Sequence, residues 1–294
     1  MPNSELESED FLFDSLQTLY DYQPITLTTS GAPFTYTVKL SCHPLRHQQL
    51  VEQASGKPVT IELHTPDTEA ANWALHASSI WVSSIYLADH ISELDLEAYI
   101  DSHPQAESPV HVLELGASAG LPSILISRLY PELMVTVTDY PDEVLIKTLS
   151  DNVARNGVAQ QCKALPYAWG SDPAPILGQA DGFDVVFAAD TLWNPDFHGI
   201  FIKALKLTLK KSPSARIHLV VGLHTGRYTI QAFLNAAMLS GFELESIQER
   251  ETTGCLSRNW ELRDNEDEKE RRRWVIWIQL KWTREALALQ DQER

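Results

Sequence analysis

The sequence has few cysteines, fewer basic than acidic residues, and no long hydrophobic run. Three cysteines, Cys42, Cys162 and Cys255, occur in 294 residues, without the spacing of metal ligands. This usage fits a reducing intracellular compartment. No apolar run approaches the ~18 residues of a transmembrane helix, and the acidic N-terminus lacks the apolar core of a signal peptide. We therefore expect a cytoplasmic protein that does not enter a membrane.

The shortage of basic residues restricts the partners of the chain. The sequence holds 40 acidic and 23 basic residues, for a formal net charge of −17. Proteins that bind nucleic acids usually present a basic surface to the phosphates, so we expect no nucleic-acid partner. An acidic surface attracts basic partners instead.

The first 69 residues differ in pattern from the rest. Residues 1–22 are acidic and are interpreted as a flexible or weakly helical arm, and residues 24–64 carry the short β-like runs ITLTT, FTYTVKL and VTIEL between turn signals. We expect a small β-containing extension over residues 1–69 and the main domain over residues 70–294. Residues 79–90, SIWVSSIYLADH, have helical spacing of apolar positions and predict an amphipathic helix.

From residue 110 onward, strand-like and helix-like segments alternate. The predicted strands are VHVLEL, LMVTVTD, QCKALPY, FDVVFAAD, ARIHLVVGL, FELESI and RRRWVIWIQLKW. Alternation of this kind predicts an α/β fold with a doubly wound, largely parallel sheet. Residues 248–272 include all but the last arginine of the charge run DNEDEKERRR, and we interpret them as a long loop that is either solvated or functional.

The stretch VHVLELGASAG contains two overlapping motifs. Gly116 to Gly120 reads G-x-S-x-G, the nucleophile elbow of an α/β-hydrolase, and Ser118, Asp190 and His224 would supply its triad in the usual chain order. No oxyanion-hole sequence of the HGGG type precedes Ser118, however. The upstream segment is also β-like, where a hydrolase would already alternate strands and helices.

The same stretch fits a nucleotide-binding glycine loop better. Glu114 stands two positions before Gly116, and Asp139 ends the next predicted strand. An acid roughly 20 residues after such a loop is placed to accept hydrogen bonds from ribose hydroxyls. Ser118 replaces the middle glycine of a dinucleotide loop, and the Gly-Lys-Ser/Thr of a P-loop is absent. A nucleoside ligand without phosphates, S-adenosylmethionine, suits this spacing best.

A family resemblance supports this interpretation. LELGASAGLPSILIS followed by VTVTDYPDEVLIKTLSDNVARNG resembles the seven-strand, S-adenosylmethionine-dependent methyltransferases. More narrowly, it resembles methyltransferase family 16, the lysine-methyltransferase-like group, near fungal nicotinamide N-methyltransferase-like and elongation-factor N-terminal methyltransferases. The resemblance implies a Rossmann-like sheet in the order 3-2-1-4-5-7-6, with the last strand antiparallel.

The resemblance also implies roles for particular residues. The positions expected to contact the cofactor S-adenosylmethionine are Trp81, Glu114, Gly116, Ala117, Ser118, Gly120, Asp139, Trp169 and Ala189. Asp190-Thr191-Leu192-Trp193 matches the family motif D-x-x-Y/F, with a tryptophan in the aromatic position. We expect Asp190 to orient an amine and assist its deprotonation, Trp193 to form a wall against it, and Asn194 to add a hydrogen bond. No metal is expected.

These residues predict an N-methyltransferase that acts on a protein lysine or an N-terminal amine. Its partner would be a basic protein segment, with a translation elongation factor as the candidate. Two alternatives stay open at this point. One is a small-molecule N- or O-methyltransferase of the nicotinamide or secondary-metabolite type, and the other is a non-catalytic module with a methyltransferase-like fold.

Overall fold

The structure, a computed structural model, describes residues 23–38, 59–68, 70–102 and 109–291. The acidic arm predicted at residues 1–22 lies outside the described residues. Within the described part of the chain, no helix is long and apolar enough to cross a membrane.

The elements that precede the main sheet are small. A two-stranded antiparallel sheet is followed by short helices. Their bounds are β1 (Pro33–Thr37), β2 (Thr60–His64), α1 (Val82–Asp89) and α2 (Leu96–Ser102). Of the three predicted β runs, ITLTT contributes a single bridge, between Thr26 and Trp81. The predicted helix at 79–90 begins three residues late, because residues 80–82 pair with the chain at residues 25–28.

The main sheet follows the predicted alternation of strands and helices. Its strands are β3 (His111–Leu115), β4 (Met134–Asp139), β5 (Cys162–Pro166), β6 (Val185–Ala189), β7 (Arg216–Gly222), β8 (Phe242–Glu251), β9 (Ser257–Asn259) and β10 (Trp274–Trp282). Its helices are α3 (Leu121–Leu129), α4 (Glu143–Arg155), α5 (Ala174–Leu177), α6 (His198–Thr208), α7 (Arg227–Leu239), α8 (Glu268–Arg272) and α9 (Arg284–Asp291).

The strand order confirms the expected fold class. The described strands run β5-β4-β3-β6-β7-β10-β8-β9, with β3 to β7 parallel and β10 antiparallel to both of its neighbours. Counted from β3 and setting β9 aside, this is the order 3-2-1-4-5-7-6; β9 adds one more strand at the edge. The central strands are buried on both faces, which explains their continuous apolar character.

The small N-terminal sheet is hydrogen-bonded to the main domain through α4, where a buried amide makes several of the contacts. Asn152 of α4 accepts a hydrogen bond from the backbone N–H of His64 and donates to the carbonyls of His64 and Ala119. The side chain therefore connects β2, α4 and the glycine loop. A domain boundary near residue 69 stays a prediction.

The interpretation of residues 248–272 as a long loop was wrong for much of the segment. β8 continues to Glu251, β9 pairs with it, and the charge run ends in α8. Arg227 and Glu249 are buried and form an ion pair. Arg227 also pairs with Glu266, and Arg258 pairs with both of these glutamates. The sequence of this segment suggests solvent-exposed charges. Some of them are instead buried, where opposite charges compensate each other.

Candidate active site

A pocket opens where the carboxyl ends of β3, β4 and β6 meet the segment that precedes α1. In a doubly wound sheet this edge is where ligands usually bind. Its walls are largely aromatic: Trp81, Tyr140, Tyr167, Trp169, Trp193 and Phe197. A smaller pocket adjoins it under the glycine loop and shares Trp81, Gly116, Ser118 and Ala189 with it.

The glycine loop between β3 and α3 turns through left-handed backbone. Gly116, Ser118 and Gly120 have φ angles of 70°, 51° and 82°. Gly120 is also closely packed, because an added Cβ would lie 2.6 Å from the end of the Leu149 side chain, which would have to shift. An added Cβ at Gly116 would lie 3.2 Å from Trp169, so its absence lets the indole approach the loop.

Ser118 serves this loop as a hydrogen-bonding residue. Its Oγ donates to the carbonyl of Ala77 at 2.5 Å, and its backbone N–H donates to a carboxylate oxygen of Asp139 at 2.6 Å. His224, which a hydrolase would use as the base, instead stacks on Trp81 with ring centroids 5.8 Å apart. The serine-hydrolase arrangement is therefore not formed.

Two acids of the site are buried beside the loop. Burial raises the pKa of Glu114 to about 8, and one of its oxygens accepts from the Ser123 N–H at the start of α3. Burial also raises the pKa of Asp139 to about 6, although the N–H groups of Ser118 and Tyr140 both donate to it. A cationic ligand beside these acids would stabilise their ionised forms, because its charge compensates for the solvation that burial removes.

All nine positions expected to contact the cofactor line one of the two adjoining pockets. Trp169 lines the larger pocket and packs on Phe201, with ring centroids 4.6 Å apart. Ala189 closes the end of β6. A small-residue loop, buried acids and aromatic planes suit S-adenosylmethionine, which presents a ribose, an adenine and two cationic centres.

Of the three expected catalytic residues, two line the pocket and one does not. Trp193 lines the pocket and meets His76 edge to face at 4.8 Å. Asp190 also lines the pocket, but its carboxylate accepts from Ser83 and from the backbone of Gly222. Asn194 does not line either pocket; its side chain accepts from the Asp196 N–H and caps the turn that follows.

Several pocket residues were missed by sequence reasoning. Tyr140 follows Asp139 directly, and its place at a strand end was a usable signal. His76 could not be found this way, because it comes from a short segment before α1 and has a left-handed φ of 53°. Phe197 similarly enters from a turn that no periodic pattern marks.

A doubly wound sheet with this loop, these acids and these aromatic walls defines an S-adenosylmethionine-dependent methyltransferase. Residues 67–238, more than half of the chain, match the family model described as lysine methyltransferase. The chain belongs to that family.

Proteins of three fungi are similar to this chain, and all three carry the name protein N-terminal and lysine N-methyltransferase EFM7. The Schizosaccharomyces pombe protein is 32% identical over 188 residues, which cover 61% of this chain and 70% of that one. The Gibberella zeae protein is 31% identical over 221 residues, covering 69% and 77%. The Neurospora crassa protein is 28% identical over 252 residues, covering 78% and 79%.

Proposed function

We propose that this methyltransferase transfers methyl groups to protein amines, either a lysine side chain or an N-terminal α-amino group. The observation that carries the proposal is the aromatic wall of Trp193 and His76, which meet edge to face beside Trp81 and the glycine loop. The names of the three relatives support it, since they refer to methylation of both protein N-termini and lysines.

The aromatic wall suits an amine in both of its protonation states. The indole faces attract the ammonium form by cation–π interaction. Apolar walls then exclude water from the amine and lower its pKa, which favours the neutral, nucleophilic form. Trp193 offers a wider surface than the tyrosine or phenylalanine usual at its position.

The remaining residues hold the cofactor. When bound, S-adenosylmethionine supplies a methyl group activated by a sulfonium charge. Asp139 would accept from the ribose hydroxyls, Trp169 would pack beside the adenine, and Glu114 with the glycine loop would hold the amino-acid end. Fixing both reactants in this way lets the amine approach the methyl carbon to about 3–3.5 Å.

The substrate we propose is a basic protein segment. The formal charge of −17 favours its approach, because opposite charges steer association. A translation elongation factor is the candidate protein, and the cytoplasm is the proposed location.

Labelled cofactor tests this proposal. The enzyme is incubated with methyl-labelled S-adenosylmethionine and a cell lysate, and macromolecular label is separated from small-molecule label. We expect the label on protein, at lysine or at an N-terminal amine, as read by mass spectrometry.

The Asp139→Ala variant provides the control, because loss of the ribose-binding acid should abolish the labelling. Label that also appears without added enzyme comes from the lysate, and label that needs the enzyme but persists with this variant would show that Asp139 is not required. Label confined to small molecules would overturn the protein substrate and favour the small-molecule alternative.

A further inference from the structure

The Asp190 carboxylate is nearly enclosed at the end of β6. Its side chain is 3% exposed. One oxygen accepts from the Gly222 N–H at 2.8 Å, and the other accepts from the Ser83 hydroxyl at 2.9 Å. The backbone of Asp190 has a left-handed φ of 55°, a conformation that residues other than glycine adopt uncommonly.

These two hydrogen bonds join elements that are far apart in sequence. Gly222 ends β7, and Ser83 lies in the first turn of α1. Asp190 thereby fastens the start of α1, which forms one side of the cofactor pocket, to the ends of the two central strands.

The residue held in place by this arrangement is Trp81. It precedes α1 directly, lines both adjoining pockets, and donates from its indole Nε1 to the His76 carbonyl at 2.9 Å. One face of the indole stacks on His224. The His224 Nε2 is 3.9 Å from the same Asp190 oxygen that accepts from Gly222.

The surroundings of Gly222 show how closely Asp190, His224 and Trp81 are packed. Its φ of −64° suits any residue, so its small size is required for space rather than for backbone conformation. An added Cβ would lie 2.2 Å from the His224 ring and 3.2 Å from the Asp190 carboxylate. The His224 ring therefore rests against bare backbone, in contact with both Asp190 and Trp81.

We propose that Asp190 acts as a positioning residue, which holds Trp81 in the cofactor pocket through Ser83 and His224, and not as the proton acceptor for the amine. Each carboxylate oxygen already accepts a hydrogen bond from the protein, and the side chain is only 3% exposed, which leaves an amine little access to it. The inference concerns the cofactor pocket and is independent of which amine is methylated.

The two roles give opposite expectations for cofactor binding. A residue that only accepts the proton of the amine can be removed without weakening the binding of S-adenosylmethionine. A positioning residue cannot, because Trp81 loses its fixed place when the hydrogen bonds are lost.

The test measures the Kd of S-adenosylmethionine by calorimetry in matched variants. We expect Asp190→Ala to raise the Kd about tenfold or more, as the loss of hydrogen bonds to a charged group predicts. Asp190→Asn should stay within about threefold of wild type, because its amide oxygen accepts from Gly222 and its NH2 donates to Ser83. Ser83→Ala, which removes only the hydroxyl, should raise the Kd about threefold.

Asp184→Asn is the matched control. Asp184 stands at the opposite end of the same strand, is also buried, and accepts from the His111 N–H at 3.0 Å. Its loss of charge should leave the Kd unchanged. An unchanged Kd in Asp190→Ala would overturn the proposal, as would an Asp190→Asn variant that binds as weakly as Asp190→Ala, because the charge would then be the required property.

Discussion

At the scale of single residues, the surroundings of a side chain decide its chemistry. Ser118 is a nucleophile in one motif and a loop residue in another. Its hydroxyl donates to the Ala77 carbonyl, so no base activates it, and its left-handed φ shapes the glycine loop. The surroundings of Asp190 likewise bear on its role, because its two oxygens accept hydrogen bonds from the Ser83 hydroxyl and the Gly222 N–H.

Glu114 gives a prediction at this scale. Because burial raises its pKa to about 8, the carboxyl is largely protonated in the free enzyme at neutral pH. A cationic cofactor favours the ionised form, so binding releases a proton and affinity should rise with pH from about 6 to 8, then level off. The raised pKa of Asp139, about 6, adds a change of the same sign at lower pH. Calorimetry over this pH range measures both the affinity and the proton release.

Glu114→Gln is the control for this pH dependence. The amide cannot ionise, so the slope above pH 7 should flatten while binding weakens. Equal slopes in the variant and in wild type would show that another group releases the proton.

At the scale of elements, residues 248–272 are held to the domain by buried charges. Arg227, at the first position of α7, pairs with Glu249 of β8 and Glu266, and Arg258 of β9 contacts the same two acids. This cluster keeps the β8–β9 hairpin against the start of α7, beside the turn that carries His224.

Arg227→Met should lower the free energy of unfolding by roughly 3 to 5 kcal/mol, because Glu249 would keep a buried charge with less compensation. Urea unfolding measures the change. Lys147→Ala provides the contrast, since the Lys147–Asp151 pair is exposed and worth less than about 0.5 kcal/mol. Similar small losses in both variants would mean that the buried cluster contributes no more than a surface pair.

At the scale of the whole molecule, the proposed role of the acid excess is to draw in a basic protein substrate. A formal net charge of −17 attracts positively charged molecules at long range, and added salt shortens the range of this attraction. We expect the KM for the labelled protein to rise several-fold when salt increases from about 0.05 to 0.5 M, because the Debye length falls well below ~10 Å. Initial-rate assays measure this effect. The Kd of S-adenosylmethionine, in a pocket enclosed by aromatic walls, should change far less, and a KM insensitive to salt would contradict charge steering.

The sequence by itself determined the doubly wound fold, the glycine loop and the acid Asp139. These features depend on local periodicity, on backbone sterics at Gly116 and Gly120, and on spacing within one β-α-β unit. Residues close together in the sequence set all three. The family resemblance followed from the same local pattern.

The tertiary structure alone decided the rest. Asp190 meets Gly222 and Ser83 across 32 and 107 positions of sequence, and neither contact has a local signal. The buried charge cluster of residues 248–272 likewise looks like a solvated run in sequence, because burial depends on what packs against a segment. Long-range packing therefore decides which polar side chains hold the site together and which face the ligand.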